Sequence, residues 1–288
     1  MAIDPDKLLN WPFPTVEQSY TARDAIIYAL GVGLGADPMD EGQLRFVFEE
    51  RAFEVLPSMA AVMCTPGFWA RDPGTGLDWK KILHGEMGIE LHDVLPAEAT
   101  IVATNKVVDI IDKGEGKGAL LYQARTVTEK ATGRKLATLT STTFARGDGG
   151  FGGHSGPQPV PHALPDREPD SVCDLATLPQ AALIYRLSGD PNPLHADPEV
   201  AKAAGFDRPI LHGLCTLGVA GHAILKTCCD YDAARFKSMK LRFSAPVFPG
   251  ETIRTEMWMD GEGVSFRARV VERDVLVLNN GHARISAG

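Results

Sequence analysis

Gly213-Leu214-Cys215-Thr216-Leu217-Gly218-Val219-Ala220-Gly221-His222-Ala223-Ile224-Leu225 is apolar nearly all round when wound as a helix, the pattern of a helix enclosed by protein. Glycines at 213, 218 and 221 lower helix propensity but admit close approach of a sheet or a ligand. Downstream, residues 239–243, 252–259, 264–272 and 275–285 have strand character, with Pro249-Gly250, Asp260-Gly261 and Asn280-Gly281 as turn signals. An apolar helix followed by an antiparallel sheet long enough to curl around it is an α+β unit with the helix as its core. Upstream, residues 179–187 have helical spacing and run into a proline-rich loop.

The first half of the chain repeats this order. Leu34-Gly35-Ala36-Asp37-Pro38 corresponds to Leu187-Ser188-Gly189-Asp190-Pro191, and Val94-Leu95-Pro96-Ala97-Glu98-Ala99 to Val247-Phe248-Pro249-Gly250-Glu251-Thr252, both at an offset of 153. Val55-Leu56-Pro57-Ser58 falls opposite Ile210-Leu211-His212-Gly213 at 155, and residues 56–64 take the place of the apolar helix. In this register Gly42 stands opposite His195, so the first copy keeps an Asp and lacks its partners. Ile82-Leu83-His84-Gly85 shares four letters with Ile210-Leu211-His212-Gly213 but at an offset of 128, so the two are not repeat equivalents. Between the halves, Gly147-Asp148-Gly149-Gly150-Phe151-Gly152-Gly153 and the prolines that follow read as a linker. Gly147-x-Gly149-x-x-Gly152 has the letters of a dinucleotide fingerprint, but no helix pattern follows it to hold a pyrophosphate. The expected organisation is a repeat at 1–146 without the catalytic motif, a linker at 147–170 and a catalytic repeat at 171–288.

Composition bounds the function. A 288-residue chain with 44% hydrophobic residues is globular, and a net charge of -8 excludes a general nucleic-acid binder while leaving room for a small phosphorylated ligand. No run of eighteen apolar residues spans a bilayer, so no membrane association is expected. The chain start lacks a signal-peptide pattern, and Ile285-Ser286-Ala287-Gly288 is neither a peroxisomal nor a reticulum address. Five cysteines without Cys-x-x-Cys spacing suggest neither disulfides nor zinc, and a cytoplasmic setting is expected.

Asp190-Pro191-Asn192-Pro193-Leu194-His195 alternates rigid prolines with polar side chains, which lets a carboxylate and an imidazole converge on one water for acid–base work, with Asn192 orienting one of them. Turn chemistry alone accounts for every residue of the segment except His195. Asp190, His195 and Asp197 offer metal ligands, but no second His or Cys stands at useful spacing, and no metal is expected. Gly213 at a helix start presents a backbone N–H with the positive helix end behind it, suited to a carbonyl oxygen gaining charge; a glycine kept for packing is the equal alternative. His212 and His222 are read as structural, and Cys215, Cys228 and Cys229 as inert thiols.

The segment from Tyr185 through Pro198, followed by Ala204-Gly205-Phe206-Asp207-Arg208-Pro209-Ile210-Leu211-His212-Gly213-Leu214-Cys215-Thr216, resembles the motif of the hydratase 2 family, the (R)-specific 2-enoyl-CoA hydratases of the MaoC-like group. The resemblance extends through Ile82-Leu83-His84-Gly85-Glu86, Val108-Asp109-Ile110-Ile111-Asp112-Lys113-Gly114 and Phe236-Lys237-Ser238-Met239-Lys240-Leu241-Arg242-Phe243 to nearly the full chain. It implies an α+β double hot-dog, each repeat an antiparallel sheet wrapped around a long apolar helix, with the first repeat making room for an acyl chain. By position it implies Asp190 and His195 as catalytic pair, Asn192 as supporting amide, Gly213 as oxyanion donor, and His84, Gly85, Lys113 and Phe243 as substrate contacts, Lys113 toward coenzyme A phosphate. The implied enzyme is a hydro-lyase of fatty acid metabolism, a cytoplasmic homodimer acting on an acyl-CoA thioester and needing no cofactor beyond the coenzyme A of its substrate. The dehydrogenase and peroxisomal signal of multidomain relatives are not seen in this sequence. A hot-dog thioesterase, a 3-hydroxyacyl dehydratase working on another thioester carrier and a non-enzymatic acyl-CoA binder are the alternatives.

Overall fold

Strand pairing turns the repeated sequence into a repeated structure. A computed structural model describes residues 3–286; Met1-Ala2 and Ala287-Gly288, which enter the reading of the chain ends, lie outside the described residues. In chain order the main elements are α1 (Pro5–Leu9), β1 (Val16–Tyr20), α2 (Ala22–Gly31), α3 (Glu41–Leu44), β2 (Ile82–Leu91), β3 (Ala99–Asp112), β4 (Ala119–Glu129) and β5 (Lys135–Ala145). After them come β6 (Ser171–Ala176), α4 (Ala181–Tyr185), α5 (Pro198–Ala203), α6 (Gly213–Cys229), β7 (Phe236–Phe243), β8 (Thr252–Asp260), β9 (Gly263–Val270) and β10 (Val275–Ile285). The ten strands form one antiparallel sheet in the order β1-β3-β4-β5-β2-β7-β10-β9-β8-β6. From the middle outward each half has the same order, with β1 to β5 matching β6 to β10, and the halves join where β2 pairs β7 with Met87 opposite Leu241. That joint closes one open strand edge of each half. Residues 147–170 form neither helix nor strand.

The apolar segment at 213–225 is α6, which packs against β6, β7, β8 and β10. Its Leu217, Ile224 and Leu225 are completely buried, each stabilising by about 1.5–3 kcal/mol. The other copy covers the rest of it. A Cβ at Gly218 would stand 2.6 Å from Val32 Cγ1, and one at Gly221 would stand 3.2 Å from Ser58 Cβ, so both glycines are contact points for the first repeat.

The first repeat departs from the expected long helix. Its counterpart is a 3-10 helix of six residues, Pro57–Val62, after which Cys64 turns left-handed (φ 49°) and Pro66, lacking an N–H, cannot continue a helical ladder. The chain instead leaves the sheet and builds a second small core from Leu8, Ala70, Leu77, Ile110 and Leu121, flanked by Trp11, Trp69 and Trp79. Between the two cores lies a cavity of about 270 Å³.

Two further sequence signals take a different form. Asn280-Gly281 is not a hairpin turn but a bulge inside β10, where pairing with both neighbours slips and Asn280 has φ 52°. The glycine run at 147–153 wraps an internal carboxylate, because Asp112 accepts hydrogen bonds from the N–H groups of Gly114 (2.8 Å), Gly150 (2.7 Å) and Gly152 (2.9 Å). No described helix is long and apolar enough to cross a membrane.

Candidate active site

The Asp190 to His195 segment begins as the turn its composition predicts. Asp190 Oδ1 accepts from Asn192 N–H at 3.2 Å, and Asn192 Oδ1 accepts from Leu194 N–H at 3.2 Å, capping the 3-10 turn Pro193–His195. Asn192 is therefore exposed and its oxygen is committed to the backbone.

His195 does what a turn does not require. It is 8% exposed, and its Nδ1 lies 2.9 Å from Ile210 O. A carbonyl only accepts, so Nδ1 carries the hydrogen and Nε2 presents a lone pair. Burial lowers the pKa of this imidazole below 6.5, which keeps it neutral at pH 7.

His212 completes the cluster. It is 1% exposed, stacks on His195 with ring centroids 3.8 Å apart, and its Nε2–H donates to Asp190 O at 3.2 Å. Burial and the neighbouring His195 hold its pKa well below the usual imidazole range. Tyr185 of α4 packs 5.1 Å from His212 and is itself braced by Tyr28 of α2, a first-repeat residue. His212 is thus structural, as its sequence suggests, but what it shapes is the site. The signal for it was its place directly before Gly213.

Ligand atoms of Asp190, His195 and His212 lie within 4.8 Å of one another, the donor set of a metal site. The rings do not suit an ion. At an interplanar angle of 28° the in-plane lone pairs of a stacked pair run side by side, whereas a tetrahedral ion needs both aimed at one point about 2.0–2.1 Å away. Asp197, the other sequence candidate, caps α5 by accepting from Glu199 N–H at 2.8 Å.

α6 starts at Gly213 with no side-chain cap, and its first carbonyl-directed bonds come from Cys215 and Thr216 to His212 O. Among the described residues the Gly213 N–H has no partner, and a 17-residue helix dipole stands behind it. A Cβ at Gly213 would lie 3.3 Å from Phe243 Cε1, and the Phe243 ring lies 4.8 Å from that of His84. Gly213, Phe243 and His84 therefore form one wall.

Gly85 explains how His84 reaches it. Pairing of β2 with β5 slips between His84 and Glu86, leaving Gly85 as the extra residue of a bulge, where a Cβ would stand 3.1 Å from Thr142 O. Strict alternation would put His84 on the face of Glu86, which pairs with Arg242. The bulge moves it to the face of Met87, and both line the cavity. His84 keeps part of its ring open to solvent, and the protein packed on its inner side lowers its pKa from the usual imidazole value by desolvation. Lys113 stands apart, exposed at the end of β3 with its Nζ 5.3 Å from the Phe144 ring, beside Leu83 across the β5–β2 pairing.

Among the described residues the first repeat has no equivalent site. A Cβ at Gly42, the position opposite His195, would stand 2.3 Å from the Tyr231 ring, so Tyr231 occupies the room a second histidine would need.

Among known proteins, family models match within each half of the chain. The MFE-2 hydratase 2 N-terminal domain matches residues 18–147, and the MaoC like domain matches residues 161–280. The chain is 41% identical to "Enoyl-CoA hydratase 2, peroxisomal" of Arabidopsis thaliana, over 95% of this chain and 93% of that protein. It is also 41% identical to "3-hydroxyacyl-thioester dehydratase Y" of Mycobacterium tuberculosis over the full length of both. The crystal structure of a MaoC-like dehydratase from Phytophthora capsici superposes with a TM-score of 0.87 at 36% identity, over 99% of this chain and 98% of that one.

Proposed function

The chain belongs to the MFE-2 hydratase 2 family of MaoC-like double hot-dog proteins, and from that premise we infer that it is an (R)-specific 2-enoyl-CoA hydratase. As a hydro-lyase it adds water reversibly to trans-2-enoyl-CoA, giving (3R)-3-hydroxyacyl-CoA. One observation carries the assignment of its site: a neutral, buried His195 with a free Nε2 lies beside Asp190 and stacks on His212, the residue directly before an unpartnered Gly213 N–H.

In this reading Asp190 and His195 hold a water against C3. The water oxygen bonds to C3, one of its protons passes to the pair, and the pair returns a proton to C2. The two groups act as one unit, and the pair regains its starting protonation at the end of the cycle. Charge gathers on the thioester oxygen as the C2–C3 π electrons shift, and the Gly213 N–H meets it there. His212 holds the Asp190 carbonyl and the His195 ring in place, so it is a positioning residue. Lys113 is assigned to coenzyme A phosphate, His84, Gly85 and Phe243 to the acyl moiety, and Asn192 to the shape of the turn. A cytoplasmic homodimer without a cofactor is the setting proposed.

Loss of enoyl absorbance with crotonyl-CoA, followed by chiral analysis of the product, tests the function. Asp190→Asn and His195→Ala are each expected to lose at least about 10²- to 10⁴-fold in kcat. Full activity in both folded variants overturns the site, and release of free thiol in place of hydration identifies a thioesterase.

A further inference from the structure

The cavity of the first repeat is not lined as a purely apolar acyl tunnel requires. Ala61, Phe68, Trp69 and Leu214 form its apolar wall, but the sheet opposite contributes Thr143, Ser141, Gln123, Asn105 and Arg125. Register puts these on one face. His84 pairs with Thr143 and Thr143 with Leu121, Ser141 pairs with Gln123, and Arg125 pairs with Asn105 one row further along. A polar track thus runs diagonally from His84, at the active-site wall, to Arg125.

Arg125 is the unexplained residue at its end. It is 9% exposed, and its one hydrogen bond among the described residues runs from Nη2 to Ala61 O at 2.7 Å. Its Nε is buried without a partner, as is Nδ2 of its neighbour Asn105. No ion pair reaches it among the described residues, and no Asp or Glu lines the cavity, although acidic side chains outnumber basic ones 37 to 29 in the chain. Burial pulls the guanidinium down to about 10, which leaves it charged at neutral pH. The nearby Cys64 thiol is pushed up to about 11 by desolvation and supplies no countercharge. An unpaired buried cation is costly to a fold, so its retention points to a partner that arrives from outside.

We propose that Arg125 and Asn105 form an anion-binding end to the acyl cavity, which takes 2-enoyl-CoA esters whose chain ends in a carboxylate. This rests on the hydratase reading and adds a substrate class to it. Two donors side by side, Arg125 and Asn105 Nδ2, match the two oxygens of a carboxylate. His84 and Arg125 are two strands and four residues apart, about 16 Å at ~4.8 Å per strand and ~3.3 Å per residue. An extended chain with C–C bonds of ~1.5 Å covers that distance in about a dozen carbons.

Hydration is measured for matched esters of about ten to sixteen carbons, with and without an ω-carboxylate, each relative to crotonyl-CoA with the same protein. The expected result is an optimum near a dozen carbons at which the ω-carboxylate raises kcat/KM about 10- to 100-fold, the size of a charge-assisted hydrogen bond in a desolvated pocket. Arg125→Met is expected to abolish or reverse that preference, and Asn105→Leu, which leaves the cation in place, to reduce it. Equal or better use of the methyl-ended esters at every length by the unaltered protein overturns the proposal, as does a preference unchanged in folded Arg125→Met. Calorimetric binding of saturated monocarboxylyl- and dicarboxylyl-CoA esters reads the tail site without chemistry. Absence of hydration with every ester therefore counts against the hydratase reading, while the binding preference still decides this one.

Discussion

Mild acid is expected to destabilise this protein before most of its carboxylates titrate. His222, 1% exposed in the middle of α6, donates from Nδ1 to Val32 O (3.3 Å), and its Nε2 lies 3.4 Å from Tyr231 Oη, whose hydroxyl donates to Asp40 Oδ2 (3.4 Å). Desolvation pushes it down to about 4 from 6.5. Above pH 6.5 it is neutral folded or unfolded, and its contribution to stability is fully present. As pH falls below 6.5 the unfolded chain takes up a proton that the folded chain refuses, and stability drops by about 1.4 kcal/mol per pH unit until pH 4. A depression from 6.5 to about 4 is then worth about 3 kcal/mol. The stacked pair His195 and His212, both depressed by burial, pulls in the same direction. The sum is a large part of the 5–15 kcal/mol that holds a typical domain folded. Asp112, bonded by glycine N–H groups, and Asp170, bonded by Arg167, lie below the usual carboxylate range and stay ionised through this window. Urea unfolding between pH 7.5 and 4.5 measures the slope, and His222→Gln is expected to flatten it by about one proton. A midpoint constant from pH 6.5 to 5, or an unchanged slope in His222→Gln, refutes the reasoning.

Four substitutions probe other parts of the argument. Gly213→Pro removes the proposed oxyanion donor at a helix position that tolerates proline, after a residue already at ψ 135°; kcat is expected to fall about 10²- to 10³-fold. Gly213→Ala keeps the N–H and brings the same Cβ to Phe243, so it serves as the control for loss of the donor in crotonyl-CoA turnover. Lys113→Gln is expected to raise KM for CoA esters about 5-fold, the worth of an exposed charge pair of ~1 kcal/mol, with kcat unchanged and no effect on thioesters lacking the nucleotide. Gly42→Ala drives a Cβ into the Tyr231 ring and is expected to cost about 1–3 kcal/mol in urea unfolding.

What the sequence made legible follows from where the information is local. The α6 segment is apolar on every face, and its helix starts at the glycine that marks it. The offset of 153 survives at the starts of β3 and β8, since Ala99 and Thr252 open equivalent strands. Pairing is not local, and there the sequence misleads. Asn280-Gly281 has the letters of a turn but lies in a strand long enough to pair on both sides, so it becomes a bulge. The first-repeat helix fails because one proline nine residues after another outweighs a run of small apolar residues. His84 needs a bulge to change faces, and Arg125 becomes notable only in the folded chain, where its Nε is buried without an acceptor.

The asymmetry between the repeats is the physical basis of a single site. In the second repeat α6 fills the concave face of the sheet and offers its N-terminus to Asp190 and His195. In the first, the helix stops after six residues, and the inner face of β2, β4 and β5 is left to a cavity that opens at His84. The volume that a second helix would have filled is thereby placed beside the uncapped N-terminus of α6, whose Leu214 lines it. Tyr231 closes the other candidate position at Gly42, and through His222 it ties that closure to the middle of α6. Restoring a histidine at position 42 would therefore require moving Tyr231, and with it the packing of the helix whose far end serves the working site.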